Sequence, residues 1–153
     1  LSSISKSHNM PGWRVGMIWG KAEMLEPVLE VKTNMDSGMF YPVQQAAVKA
    51  LAQDQSWYDS INKVYKTRRD LVFKLMNLIE CSPREDQGGM FVWAAIPEKY
   101  KGGYELSDKV LKESKVFITP GGIFGDKGDK YIHISLCSNE AVIEEAINRI
   151  KDK

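Results

Sequence analysis

The sequence predicts an α/β protein: a small sheet flanked by helices, preceded by a mostly helical stretch with one strand. Three observations carry that expectation. Ile61, Val64, Tyr65, Val72, Leu75, Met76 and Ile79 keep helical spacing from about Trp57 to Ile79 and make one apolar face. Downstream, "MFVWAAI" (Met90–Ile96), "VFITP" and "YIHISL" (Tyr131–Leu136) are short apolar runs that read as strands. The segments beside them, "GGYELSDKVLKESK" and "NEAVIEEAINRI", read as helices, the latter with Ile143, Ala146, Ile147 and Ile150 on one face and Asn139 or Ser138 as cap. Strand, helix, strand, loop, strand, helix is the order of a small sheet with helices packed on it.

The elements before it follow in turn. "RVGMIWG" (Arg14–Gly20) is apolar and ends on glycine, so it is expected to be a buried strand. Such a strand needs neighbours for its backbone groups, and this chain offers few candidates. "KAEMLEPVLEVKTNM" is a helix with Pro27 as a possible kink, "DSGMFYP" breaks it with turn residues, and "PVQQAAVKALAQ" resumes helix. Arg68 shares the apolar phase of the long helix and is expected to snorkel from it, in preference to meeting an anion or carboxylate. The expected core is Ile61, Val72, Leu75, Phe91, Trp93, Phe117, Ile132, Ile134, Ile143 and Ile147, and residues 1–20 are expected to lack support unless another chain covers them.

Length and charge narrow the class. The 153 residues suffice for one domain, and 43% hydrophobic with 27% charged residues is ordinary for a soluble protein. Twenty-one basic against twenty acidic residues leave +1, which gives no electrostatic reason to expect nucleic acid or an anionic membrane as partner. No apolar run approaches the roughly 20 residues of a membrane span, and the N-terminus lacks a charged-then-apolar secretory pattern. Cys81 and Cys137 share no CxxC spacing, so free thiols in a reducing, cytoplasmic setting are expected, with no metal site. There are no internal repeats.

The chemistry begins at "LSSISKSHNMPGWRVG", where Lys6 sits among serines. A lysine amine is a nucleophile only when unprotonated, and its ordinary pKa near 10.4 keeps it charged unless burial or a nearby cation intervenes. Hydroxyls bind anions, and arginine grips phosphate oxygens with two parallel bonds. Lysine, hydroxyls and Arg14 together suit a phosphorylated aldehyde cofactor, with the amine forming a Schiff base. By composition alone this is weak, since serine-rich turns are commonly solvated loops.

Spacing adds to it. The run Ser3, Ser5, Lys6, Met10, Gly12, Trp13, Arg14, Gly16 resembles the lysine motif of the pyridoxal-phosphate-dependent class I/II aminotransferases, the aspartate aminotransferase-like family of fold type I, matching it at every fixed position. "YKTRRDLV" resembles the family's arginine-pair helix, "GGMFVWAAIP" its small-domain strand, and "VFITPGGIFGDKGDKYIHISL" the run leading to its carboxylate-binding position. The resemblance covers essentially the whole chain. It implies that residues 1–56 are the C-terminal remnant of a large cofactor-binding domain with an interdomain helix, and that 57–153 are the small C-terminal α/β domain.

The resemblance also implies roles. Lys6 would hold pyridoxal 5'-phosphate as a Schiff base and then move a proton between the substrate and the cofactor. Arg14 and Ser3 would bind the cofactor phosphate, with Ser5 beside them. Gly12 and Gly16 would allow close backbone approach, and Trp13 would pack. The loop "TPGGIFGDKG" lacks the strand–loop–helix context of a phosphate cradle.

Two departures stand out. The family strand at "YIHISL" usually carries an arginine for the substrate α-carboxylate; His133 stands there, on what alternation makes the polar side with Tyr131 and Ser135. Imidazole cannot make the forked contact of a guanidinium, so carboxylate binding should be weaker or altered. Aspartate-specific relatives also place an arginine near "NMDSGMFY", and none occurs between Lys32 and Tyr41, which removes the support for dicarboxylate substrates.

The implied activity is transfer of an amino group from an amino acid to a 2-oxo acid, by a homodimer in the whole enzyme. The family's acidic residue, stacked ring and glycine loop around the cofactor lie upstream of the lysine. This chain is therefore expected to correspond to the C-terminal part of such an enzyme, and not to transaminate alone. A pyridoxal-phosphate-dependent carbon–sulfur lyase and the aminotransferase-like domain of a DNA-binding regulator are the alternative readings.

Overall fold

The computed structural model describes all residues, Leu1–Lys153, in two compact units, Leu1–Tyr58 and Asp59–Lys153. In the first unit, strand β1 (Ser2–Ser3) leads into the single-turn helix α1 (Ile4–Ser7), a 3-10 turn (Pro11–Trp13) and strand β2 (Gly16–Met17). The two strands pair antiparallel, Ser2 opposite Met17 and Ser3 opposite Gly16. Helices α2 (Ala22–Met35) and α3 (Tyr41–Leu51) follow. Pro27 lies inside α2, as the sequence suggested. No residue of α2 is buried, and Met24, Leu29, Val31 and Met35 are all exposed.

The expected buried strand Arg14–Gly20 is corrected by the structure: it is two residues long and exposed. Arg14 falls outside it because its backbone is left-handed, at φ 53°, which ends the 3-10 turn. The partner that the sequence did not show is β1, two serines with no periodicity to betray a strand. The expectation that residues 1–20 lack support is corrected as well. Ile4 and Val15 are buried and pack with Ala47, Met10 and Val43 into a small core of their own.

Helix α4 (Gln55–Leu78) runs from the first unit into the second. The second unit then adds β3 (Ser82–Pro83), β4 (Phe91–Ala95), α5 (Gly103–Ser114), β5 (Thr119–Pro120), β6 (Tyr131–Ser135) and α6 (Glu140–Lys151). The strands form one antiparallel sheet in the order β3-β4-β6-β5. Asn139 caps α6, its Oδ1 accepting from the Val142 amide at 3.0 Å.

The register assigns the faces. Val92 and Ala94 of β4 stand opposite Ile134 and Ile132 of β6, and this face meets Val72, Leu75 and Met76 of α4, Leu106 and Val110 of α5, and Ile143 and Ile147 of α6. Phe91 and Trp93 point the other way, opposite Ser135 and His133. They were expected in the core, and period-two alternation puts them on the reverse face instead. Phe117 is 66% exposed while its neighbour Ile118 is buried, a correction by one position of the same kind. Ile61 and Ile134 are half-buried, and Val72, Leu75, Ile132, Ile143 and Ile147 are in the core.

Arg68 does not snorkel. Its Nε donates to Glu140 Oε1 at 3.0 Å and its terminal nitrogen to the Leu136 carbonyl at 3.2 Å, tying α4 to the turn that precedes α6. An 81% buried guanidinium side chain needs such partners, and the end of a strand offers carbonyls that supply them. Cys81 and Cys137 are both free, and burial pushes the Cys81 thiol up to about 12, which makes it a packing residue.

Ile132 is completely buried at the centre of the sheet. Ile132→Ala should lower unfolding stability by about 2–5 kcal/mol in denaturant titration, and Ile134→Ala by less, since part of that side chain remains in solvent. Equal losses would show that the face assignment is wrong.

Candidate active site

The lysine turn is built by local backbone bonds. Ser3 is extended and caps α1, its Oγ accepting from the Ser5 amide at 3.4 Å, while Ser7 Oγ donates to the Ser3 carbonyl at 3.2 Å. The Ile4 amide donates across the ribbon to the Val15 carbonyl at 3.3 Å. That bond and the β1–β2 pairing close residues 3–16 into one loop, with Ser3, Ser5 and Lys6 on its first limb and Arg14 on its last.

Arg14 donates to the Pro11 carbonyl at 3.1 Å, which holds the guanidinium against its own turn. Ser3, Lys6 and Arg14 are exposed and Ser5 is half-buried, so the loop carries an amine, two hydroxyls and a guanidinium that are at least partly accessible. That donor set fits a phosphorylated aldehyde: amine for the carbonyl carbon, hydroxyls and guanidinium for phosphate oxygens. At Gly16 a Cβ would lie 3.3 Å from the Ser2 carbonyl across the ribbon, a tight contact that glycine avoids.

The second group lies in the other unit. His133, on β6, stacks on Phe91 at 4.9 Å between ring centres with the planes 26° apart, and meets Trp93 and Phe124 at 5.1 Å each. Tyr131 adds an edge contact to Trp93 at 6.3 Å. The side expected to be polar is thus mainly aromatic. Burial among these rings holds the His133 imidazole below its ordinary pKa, so near neutral pH it is uncharged.

Gln87 fixes the back of this cluster. Its Oε1 accepts from the Trp93 amide at 2.6 Å and its Nε2 donates to the Trp93 carbonyl at 2.8 Å, an imitation of strand pairing by a side chain. Arg69 in turn donates to the Gln87 carbonyl at 3.1 Å. Gly121 crosses this face so closely that a Cβ would run into the Gly128 carbonyl and the Trp93 ring, so the loop before β6 requires glycine there. Sequence reasoning missed Gln87, whose only signal is its place in a turn before a strand. It also passed over His8, which is 7% exposed and lies two residues beyond Lys6.

A cavity of about 600 Å³ lies elsewhere in the second unit, lined by Val116, Ile118, Ile134, Ile143, Ala146 and Arg149 among others. It is mostly apolar, and the Arg149 guanidinium at its rim is paired with Glu145 at 2.8 Å. It contains none of the candidate site residues, so volume alone does not mark the chemistry here.

Comparison with known proteins now decides the family. The model for aminotransferase class I and II matches residues 1–150. The chain belongs to that family. It is 40% identical over 148 residues to an LL-diaminopimelate aminotransferase of Maridesulfovibrio salexigens, covering 97% of this chain and 38% of that protein. It is 38% identical over 151 residues to the glutamate-pyruvate aminotransferase AlaC of Escherichia coli, covering 97% of this chain and 37% of the other. Among solved structures, apo-BacF of Bacillus subtilis superposes with a TM-score of 0.86 at 33% identity, over 98% of this chain and 38% of that one. An aromatic aminotransferase of Pyrococcus horikoshii gives 0.86 at 28% identity, over 98% and 40%. The chain thus spans about 38% of the length of these curated relatives.

The lowered pKa of His133 has a consequence for stability. Its folded-state value lies below the ordinary 6.5, so the unfolded chain takes up the proton first as pH falls. The contribution is complete above about pH 6.5 and is lost as pH drops through the folded-state value. His133→Phe should flatten this part of the stability–pH curve, measured by denaturant midpoints from pH 7.5 down to 5. A slope that the substitution leaves unchanged would assign the effect to other groups.

Proposed function

We propose that this chain provides the cofactor-binding lysine and the small domain of a pyridoxal-phosphate-dependent aminotransferase, which moves an amino group from an amino acid to a 2-oxo acid. Residues 1–56 are read as the end of the large domain and the helix leading out of it, and residues 57–153 as the small domain. The observation that supports the reading is the closed loop 3–16, which carries Ser3, Ser5, Lys6 and Arg14 within one short backbone ring, in a family whose members are named for this reaction.

Pyridoxal phosphate, when bound, supplies the electron sink. The rest is assigned to the chain. Lys6 would hold the group through its amine, the aldehyde oxygen leaving as water, and once freed its Nζ would carry a proton. Arg14 and Ser3 would hold the phosphate, with Ser5 adding a hydroxyl beside them. The whole enzyme is read as a cytoplasmic homodimer.

His133 takes the place of a carboxylate-binding arginine. An uncharged ring stacked on Phe91 offers a carboxylate at most one hydrogen bond, against two charge-assisted bonds from a guanidinium. Selection is then shifted toward the side chain of the amino acid, and the aromatic surroundings favour neutral or aromatic substrates over dicarboxylates.

Two measurements on the whole protein test this. Lys6→Ala should abolish the absorbance band that pyridoxal phosphate gains on forming its Schiff base; a band that survives would place the attachment elsewhere. His133→Arg should lower the apparent KM for amino acids by about tenfold, the worth of one added charge-assisted bond of roughly 1.4 kcal/mol. An unchanged or raised KM would mean that the substrate carboxylate is held by other groups.

A further inference from the structure

Helix α1 is one turn long, and a single turn has no stability of its own. Whatever directs the Lys6 side chain must therefore come from contacts that anchor this turn. Ile4 anchors its beginning. Its end is anchored by His8, whose backbone N–H donates to the Ile4 carbonyl at 3.2 Å and which is followed by left-handed Asn9 at φ 53°.

The His8 side chain is buried although it is polar, and both ring nitrogens have partners. Nδ1 lies 2.8 Å from Ser7 Oγ, and Nε2 lies 2.9 Å from the hydroxyl of Tyr58, fifty positions along the chain. The ring also stacks on Trp57 at 5.4 Å and 22°, and Trp57 meets Tyr58 edge-on at 5.1 Å. Ser7 Oγ has one proton and gives it to the Ser3 carbonyl, so it accepts from Nδ1–H, and Nε2 accepts from the Tyr58 hydroxyl, which fixes one imidazole tautomer. Ser7 adds its own bond to the Ser3 carbonyl, which carries the connection back to the start of the turn. The Tyr58–His8–Ser7–Ser3 chain of contacts therefore spans the lysine turn from one end to the other.

A buried imidazole needs a hydrogen-bond partner in any fold, and one would satisfy burial. Here the two partners lie on opposite sides. One belongs to the lysine turn itself and the other to the first turns of α4, where Asp54 Oδ1 already accepts from the Trp57 amide at 3.1 Å and fixes that end of the helix. We propose that His8 is a positioning residue for Lys6, a two-ended hydrogen-bonded pin through which Tyr58 and Ser7 hold the lysine turn in the orientation that cofactor attachment requires. This rests on the reading of Lys6 as the aldehyde-binding lysine. His8 and Tyr58 touch neither substrate nor cofactor in this account; they act through the turn.

The decisive variants keep the rings and change the polar atoms. Tyr58→Phe and His8→Phe retain the stack with Trp57 but break the pin, and His8→Gln restores a polar group toward Tyr58. In the whole protein, stripped of cofactor, the measurements are the rate of Schiff-base formation with added pyridoxal phosphate, borohydride trapping followed by mass mapping of the modified lysine, and the thermal midpoint. Tyr58→Phe and His8→Phe should each slow formation about three- to tenfold, the worth of one hydrogen bond. The double variant should be no slower than either alone, because one pin is broken in all three. His8→Gln should recover most of the rate.

A structural role alone would shift the thermal midpoint and leave the rate per folded molecule unchanged, and that result overturns the proposal. Multiplying effects in the double variant, or a His8→Gln protein as slow as His8→Phe, overturn it too. Should a variant fold poorly, ¹⁵N spectra of the wild-type imidazole and of Tyr58→Phe decide: loss of a fixed tautomer supports the pin, and an unchanged spectrum refutes it. Trapping on a residue other than Lys6 in the wild-type protein would overturn the reading of Lys6 itself, an outcome separable from all of these.

Discussion

Ile4 keeps one per cent of its surface in contact with solvent, and its amide donates to the Val15 carbonyl. These two contacts turn residues 3–16 from an open segment into a loop with two fixed limbs. Everything proposed for the lysine depends on that closure, because Ser3, Ser5, Lys6 and Arg14 are themselves exposed or half-exposed and hold no geometry by packing. The arrangement separates labour within a few residues. Apolar positions 4 and 15 supply rigidity, and the polar positions between and beside them are left available for a ligand. Burial of one isoleucine contributes on the order of 2–3 kcal/mol, more than any of the surface hydrogen bonds in the loop.

In the second unit the same separation is achieved by strand pairing. The register of β4 against β6 fixes which side chains meet the helices and which gather around His133. A slip of one residue would exchange the two sets, sending Val92 and Ile132 outward and His133 into the helical layer. The many apolar contacts on the core face make such a slip costly, so the packed side guarantees the composition of the other. Gln87 and Arg69 reinforce the arrangement from the edge, and Gly121 lets the loop come close enough to cover Trp93.

Helices were the most legible part of the sequence, because an apolar stripe of many residues, as in α4 or α6, leaves a long periodic trace. The central strands were legible in extent but not in facing. "MFVWAAI" alternates large with small, and bulk alone drew Phe91 and Trp93 toward the core, whereas Val92 and Ala94 occupy it. Choosing between the faces needs the partner strand: "YIHISL" puts isoleucines on one side and a histidine on the other, and pairing the two runs would have carried Trp93 to the side of His133. The two-residue strands β1, β3 and β5 left no signal, since a period cannot be read from two positions. The lysine motif was legible through fixed spacing, while His8 was not, because its partner Tyr58 is fifty residues away and only folding brings them together.

The two groups of candidate residues, one in each unit, answer to different chemistry. The loop around Lys6 carries cations and hydroxyls, and these match the cofactor's phosphate and aldehyde without reference to any substrate. The β6 position carries an uncharged ring held among aromatic neighbours, and in the proposed reading it bears on the substrate. Replacing a guanidinium by imidazole at that position therefore leaves cofactor attachment chemically intact while removing a charge from the place where a carboxylate would be held. Burial deepens the effect, since the rings around His133 resist the protonation that could restore that charge. A protonated His133 could partly take the arginine's place only at a pH below its lowered pKa, and there the amino group of a substrate would be more fully protonated and less nucleophilic. The two requirements pull in opposite directions along the pH axis, so the imidazole acts as a neutral surface, and selectivity must come from what packs against it.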